Sequence, residues 1–130
     1  MNEPFVVGQL YSRNDLYRII GVPGERQGGI WNTGYTIYNN DIFIFANINT
    51  AGSTGHNYDN KFIDDRLFQW FSKNNHSLKT PSIQKMINPS GNIYIFTREN
   101  IKSKFTYNGK GIVKEAHNQK PVKIIWKLNN

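Results

Sequence analysis

The sequence predicts a single, mostly β domain with two short helices (α+β), its strands forming a mostly antiparallel barrel or curled sheet. Three observations predict it. The length of 130 residues, 15.1 kDa, suits one hydrophobic core spanning residues 1–130. Seven or eight short apolar or aromatic runs are separated by turn chemistry. Only two segments carry helical periodicity, and they do not alternate with strands in the rhythm of parallel crossover units.

The elements follow in order. Phe5 to Gly8 is a short apolar strand candidate. Ser12 with Asp15 three residues on is a capping-box pattern, and Leu16, Tyr17, Ile19 and Ile20 give the helix one apolar face. Gly21 and Pro23 close it after about two turns. Gln27–Gly29 reads as a loop and Tyr35–Tyr38 as a strand. Asn39-Asn40-Asp41 is a turn, because Asn and Asp tolerate left-handed backbone. The run Ile42–Ile48 is continuously apolar until Asn47, so both its faces are covered, and it forms a hairpin with the preceding strand.

Asn49 to Asp65 has no periodicity, and a loop of that length inside a compact domain is usually functional or disordered. Leu67–Ser72 is strand-like, and Lys73–Lys79 is a polar loop. Thr80 as cap and Pro81 at the first position start a second helix, with Ile83, Met86 and Ile87 facing inward and Asn88–Gly91 ending it. Ile93–Thr97, Phe105–Tyr107, Ile112–Lys114 and Val122–Leu128 complete the strands. In the last of these, Val122, Ile124 and Trp126 share a face.

Composition narrows the function. No apolar run approaches the ~20 residues that span a bilayer. Without cysteine there is no disulfide framework, Cys-ligated zinc, iron–sulfur cluster or thiol nucleophile. The start, Met1 to Pro4, lacks the basic and apolar stretches of a signal peptide, and the expected home is the cytoplasm.

Charge is distributed unevenly. Residues 1–72 carry five basic and seven acidic groups, whereas 73–130 carry eleven basic groups against Glu99 and Glu115. A half-chain so unbalanced repels itself unless an anion neutralises it, and nucleic acid is the commonest such partner. The cations interleave with aromatics: Lys73, Lys79, Lys85, Tyr94, Arg98, Lys102, Lys104, Tyr107 and Lys110.

No catalytic set emerges. His56, His76 and His117 have no metal-site spacing, HExxH is absent, and Gly28-Gly29 and Gly52-x-x-Gly55 are too short to cradle phosphate. Asp59, Asp64 and Asp65 offer a weak alternative, a small metal-dependent nuclease, but a solvated loop accounts for them equally. No metal, cofactor or catalysis is expected. Trp31 and Tyr35 flank Asn32-Thr33-Gly34 in a polar setting, either as core or as a stacking platform for a base. Of the adjacent Trp70 and Phe71 one points inward, and Trp126 reads as core.

Several stretches in order carry a family likeness. They are Tyr11–Asp15 running to Ile20-Gly21, GIWNTGY (Gly29–Tyr35), Asn39–Phe62, FQWFSKNN (Phe68–Asn75), PSIQKMI (Pro81–Ile87), IYIFTRE (Ile93–Glu99), FTYNG (Phe105–Gly109) and PVKIIWKL (Pro121–Leu128). Together they resemble the C-terminal DNA target-recognition domain of modification-dependent (type IV-like) restriction proteins, as fused to helicase/phospholipase-D-type or HNH nucleases. That resemblance implies an antiparallel pseudobarrel of SRA/PUA-like type, with the plant B-three pseudobarrel as the competing fold.

It also implies a reader of double-stranded DNA carrying a modified, methylated cytosine, extruded from the helix. A nuclease or helicase domain on the same or another chain would be its partner. The expected base pocket is Trp31, Tyr35, Asn47, Asn49, His56, Tyr58 and Trp70, and the expected backbone contacts are Lys73, Lys79, Lys85, Arg98, Lys102 and Lys104. The alternative from another class is a basic protein-interaction module, such as a phage-borne inhibitor or assembly subunit.

Overall fold

A computed structural model describes residues 4–48 and 60–129. Eight strands make one sheet: β1 (Leu10–Tyr11), β2 (Tyr35–Tyr38), β3 (Asp41–Asn47), β4 (Lys61–Phe62), β5 (Leu67–Phe71), β6 (Ile93–Arg98), β7 (Phe105–His117) and β8 (Lys123–Asn129). Helices α1 (Arg13–Ile20) and α2 (Pro81–Ile87) pack against it. The strand order is β2-β3-β6-β7-β8-β5-β4, with β1 on the start of β7. The sheet curls without closing. Tyr35 of β2 touches Trp70 of β5, their ring centroids 5.4 Å apart, although those strands are far apart in the sheet order. No helix among the described residues is long and apolar enough to cross a membrane.

The sheet is mostly antiparallel, as expected, with one exception beside its β2 edge. There β3 and β6 run parallel, Ile42 opposite Ile93 through Asn47 opposite Arg98. Parallel partners need a long crossover. Here residues 48–92 supply it, and they carry β4, β5 and α2.

Two cores sit on opposite faces of this parallel pair, as the unbroken apolar run of β3 requires. Ile42, Ile44 and Ala46 of β3 and Ile93 and Ile95 of β6 face inside the curl. They meet Phe68 and Trp70, Val122, Ile124, Trp126 and Leu128, and Ile83 and Met86 of α2. The alternate residues, Phe43 and Phe45, stack on Tyr94 and Phe96 at 5.3 and 5.6 Å. Phe5, Leu16, Tyr17 and Trp31 cover that outer face.

Local chemistry explains the ends of the elements. Ser12 Oγ accepts from the Asp15 amide at 3.1 Å and the Asp15 carboxylate accepts from the Ser12 amide at 2.8 Å, closing the capping box. That backbone N–H, then Arg18, holds the Asp15 carboxyl down to about 2. Gly21 ends α1 in left-handed backbone at φ 84°. Asn39 and Asn40, at φ 49° and 70°, make the β2–β3 turn.

Three local expectations need correction. Phe5–Gly8 is a turn rather than a strand; Phe5 is buried, Gly8 N–H donates to the Tyr107 carbonyl at 2.8 Å, and the strand begins at Leu10. The segments at Phe105 and Ile112 are one strand, β7, whose irregular registers against β6 and β8 let it serve both. At Gly111 a Cβ would stand 2.4 Å from Ile95 Cδ1 and 3.2 Å from Trp126 Cε3, so any other residue there would make Ile95 move. Thr80 does not cap α2 with its side chain; its hydroxyl accepts from the Ser77 amide instead.

Candidate nucleic-acid interface

The C-terminal ends of β3 and β6 meet β5 through a small set of amides. Arg98 Nε donates to Asn47 Oδ1 at 2.7 Å, and Ile48 N–H donates to the Arg98 carbonyl at 2.9 Å. The Asn60 side chain spans the gap between strands that are not sheet neighbours. Its Nδ2 donates to the Asn47 carbonyl at 3.3 Å and its Oδ1 accepts from the Phe71 amide at 3.0 Å. Asn60 is itself buried. Ile48 and Asn60 are the described residues on either side of residues 49–59. Among the described residues nothing accepts from the Asn47 side-chain NH2 group.

Tyr35 supplies a second polar centre. Its hydroxyl bonds His76 Nδ1 and lies 3.1 Å from Ser82 Oγ at the start of α2. Lys73 Nζ stands 4.7 Å from the Tyr35 ring centroid, a cation–π contact. Burial raises the Tyr35 hydroxyl and lowers Lys73, while burial and then Lys73 lower His76.

The expected pocket residues divide. Tyr35 and Trp70 touch, and Asn47 is tied through Asn60 to the backbone amide of Phe71, the residue after Trp70. Trp31 does not join them. It belongs to the other core, with rings of Tyr17 and Phe43 at 5.4 and 5.3 Å, and is 2% exposed. The polar residues around it in sequence hid this, because a 3-10 turn over Gly29–Asn32 rolls the indole inward. Trp70 is equally buried, against Trp126 at 6.1 Å, so neither indole offers an open platform. Asn49, His56 and Tyr58, like Asp59, lie outside the described residues. A shallow groove of about 630 Å³ lined by Asp64, Asp65, Arg66, Leu67, Lys114 and Lys127 contains none of the expected pocket residues.

The cations form two groups. Lys73, Lys79 and Lys85 lie on the β5–α2 connection and on α2, with Lys79 and Lys85 exposed. Arg98, Lys102 and Lys104 lie at the β6–β7 connection, where Arg98 covers the Phe105 ring at 4.3 Å and Lys104 Nζ is 3.7 Å from Asp15. Sequence reading missed Arg13, whose guanidinium lies over Phe45 and Phe105, 4.9 Å from each. It missed Asn60 as well. Nothing local marks either, since their partners are distant in the chain.

The fold is an open pseudobarrel of the SRA type. Solved structures of low sequence identity share it. The SUVH5 SRA domain, in complex with hemi-methylated CG DNA, superposes with a TM-score of 0.58 at 14% identity, over 95% of this chain and 87% of that one. The DNA modification-dependent restriction endonuclease AspBHI gives 0.56 at 14% identity, over 95% and 73%. The SUVH5 SRA domain bound to fully hydroxymethylated CG DNA gives 0.55 at 12% identity, over 96% and 95%. No curated protein matches the sequence. The chain belongs to the family described as Domain of unknown function (DUF3427), whose model matches residues 5–130.

Proposed function

We propose that this chain is a DNA-recognition module that reads a modified, methylated cytosine in duplex DNA and leaves cutting to a nuclease or helicase partner on the same or another chain. The observation that carries the reading is a position. On an SRA-type fold Asn47 holds Arg98 and Asn60 at the ends of β3 and β6, Asn60 holds the Phe71 amide, and Lys73, two residues further on, covers the Tyr35 ring. In support, structures of the same fold are described with methylated and hydroxymethylated CG DNA, or as a modification-dependent endonuclease.

In this mechanism Lys79, Lys85, Lys102 and Lys104 hold phosphates, which sets register without reading sequence. The target base is extruded, at a cost of a few kcal/mol that stacking repays. Asn47 offers amide hydrogens to the base edge, and Asn49, His56 and Tyr58 supply further edge and stacking contacts. A cytosine methyl adds apolar contact worth about 0.8 kcal/mol.

Extrusion is tested with 2-aminopurine placed opposite or beside a 5-methylcytosine. Binding should raise its fluorescence on the methylated duplex; saturation without any rise would contradict extrusion. Lys79→Glu with Lys85→Glu should weaken binding to methylated and plain duplexes by the same factor, tenfold or more at low salt, because phosphate contacts carry no sequence information. Unchanged affinity at low salt would remove α2 from the interface.

A further inference from the structure

Phe105, the first residue of β7, is buried beneath two guanidinium groups from opposite ends of the sequence. The Arg13 Cζ is 4.9 Å from its ring centroid and the Arg98 Cζ 4.3 Å. Both groups are fixed by hydrogen bonds made through Nε. Arg13 Nε donates to the Trp31 carbonyl at 2.6 Å, and Arg98 Nε to Asn47 Oδ1 at 2.7 Å. Arg98 Nη1 also reaches the Ser103 carbonyl at 3.4 Å. Among the described residues these bonds leave the Nη groups of Arg13 as free donors, with those of Arg98 only partly engaged.

No carboxylate among the described residues pairs with either arginine. Asp15, two residues from Arg13, is taken by Arg18 at 3.1 Å, by Lys104 at 3.7 Å and by the Ser12 amide. Two partly desolvated like charges without a counter-ion repel each other. The consequence is visible at Arg13, which burial and then Arg98 lower to about 10. Burial also lowers Arg98. Cation–π contact with Phe105 and Phe45 offsets part of this cost, and a bound anion would relieve the remainder.

The geometry points to Arg13 and Arg98 as a joint binding site for backbone phosphate, set on the Phe105 ring. Planar guanidinium edges match phosphate oxygens. Because Arg98 is hydrogen-bonded to Asn47, a phosphate held here would sit in fixed register with the base-reading end of the barrel. This inference rests on the DNA-reading proposal and adds to it the residues that set register.

The test is fluorescence anisotropy of the full chain with a 5-methylcytosine duplex over a salt series. Arg13→Gln with Arg98→Gln should weaken binding at least tenfold. It should also flatten the plot of log affinity against log salt by about 1, since each neutralised phosphate contributes about 0.9 to the slope and the pair holds one phosphate. Arg13→Lys with Arg98→Lys should keep the slope and still lose affinity, because an ammonium keeps the charge without the planar fork. In the wild type, the Arg13 and Arg98 Nε–Hε resonances should shift on adding duplex, a readout that holds even if the glutamine variant fails to fold.

Wild-type affinity and slope in a folded glutamine variant would overturn the phosphate site and leave the DNA-reading proposal standing. Wild-type protein that binds no duplex would overturn both. Arginine shifts produced by a polyglutamate peptide and not by duplex would assign the pair to a protein carboxylate and overturn the phosphate site.

Discussion

Trp31→Ala is expected to destabilise the protein by about 3–5 kcal/mol, the cost of emptying a large aromatic site in a packed core. For a domain of this size that lowers Tm by on the order of 10 °C. The indole is 2% exposed and touches the rings of Tyr17, Tyr38, Phe43 and Phe45. Its backbone carbonyl also holds Arg13. A stacking platform for a base would behave differently: the variant would stay fully stable and lose only discrimination between bases. Thermal and urea unfolding separate the two, and an unchanged midpoint would return Trp31 to the binding site.

Asn60→Ala should cost about 2 kcal/mol, because the Phe71 amide and the Asn47 carbonyl each lose a partner in a part-buried setting. The effect on function should exceed the effect on stability. Asn60 is the bond between β3 and β5 across the open side of the curl, and it directly follows residues 49–59 in the chain. DNA affinity measured well below the melting transition should therefore fall, while the variant keeps its β-sheet circular dichroism. Asn60→Asp tests the geometry more finely. It retains the acceptor for Phe71 N–H and loses the donor to Asn47. If Asn60→Ala binds DNA like the wild type, the strand-end cluster does not organise the interface.

Much of the fold was legible because its signals are local. The capping box of Ser12 and Asp15, the Asn39-Asn40 turn and the two-faced apolar run of β3 each depend on neighbours in sequence. What was missed depends on partners far away. The parallel pairing of β3 with β6 is decided by a crossover that wraps β5 and α2 round the barrel, and no local period encodes that. The expected strands Phe105–Tyr107 and Ile112–Lys114 are one strand because Asn108, Gly109 and Gly111, which interrupt the apolar run, lie inside it, Asn108 at its register shift and Gly111 where Ile95 comes close.

The site shows the same division. The clustering of cations after residue 73 is visible in the sequence. Tyr35 and Trp70 do meet, though Trp70 is packed as core. Arg13 could not be found from sequence, since it reaches Arg98 only through the tertiary position of Phe105.

The central claim is that this barrel recognises modified duplex DNA through cations and a strand-end amide cluster. The most direct measurement is a mobility-shift titration with matched plain, 5-methylcytosine and 5-hydroxymethylcytosine duplexes at low and moderate salt. The account predicts binding to every duplex that weakens steeply with salt, together with a preference for modified cytosine that survives at the higher salt. Equal affinity for plain and modified duplexes at both salts, or no binding at low salt, would contradict it.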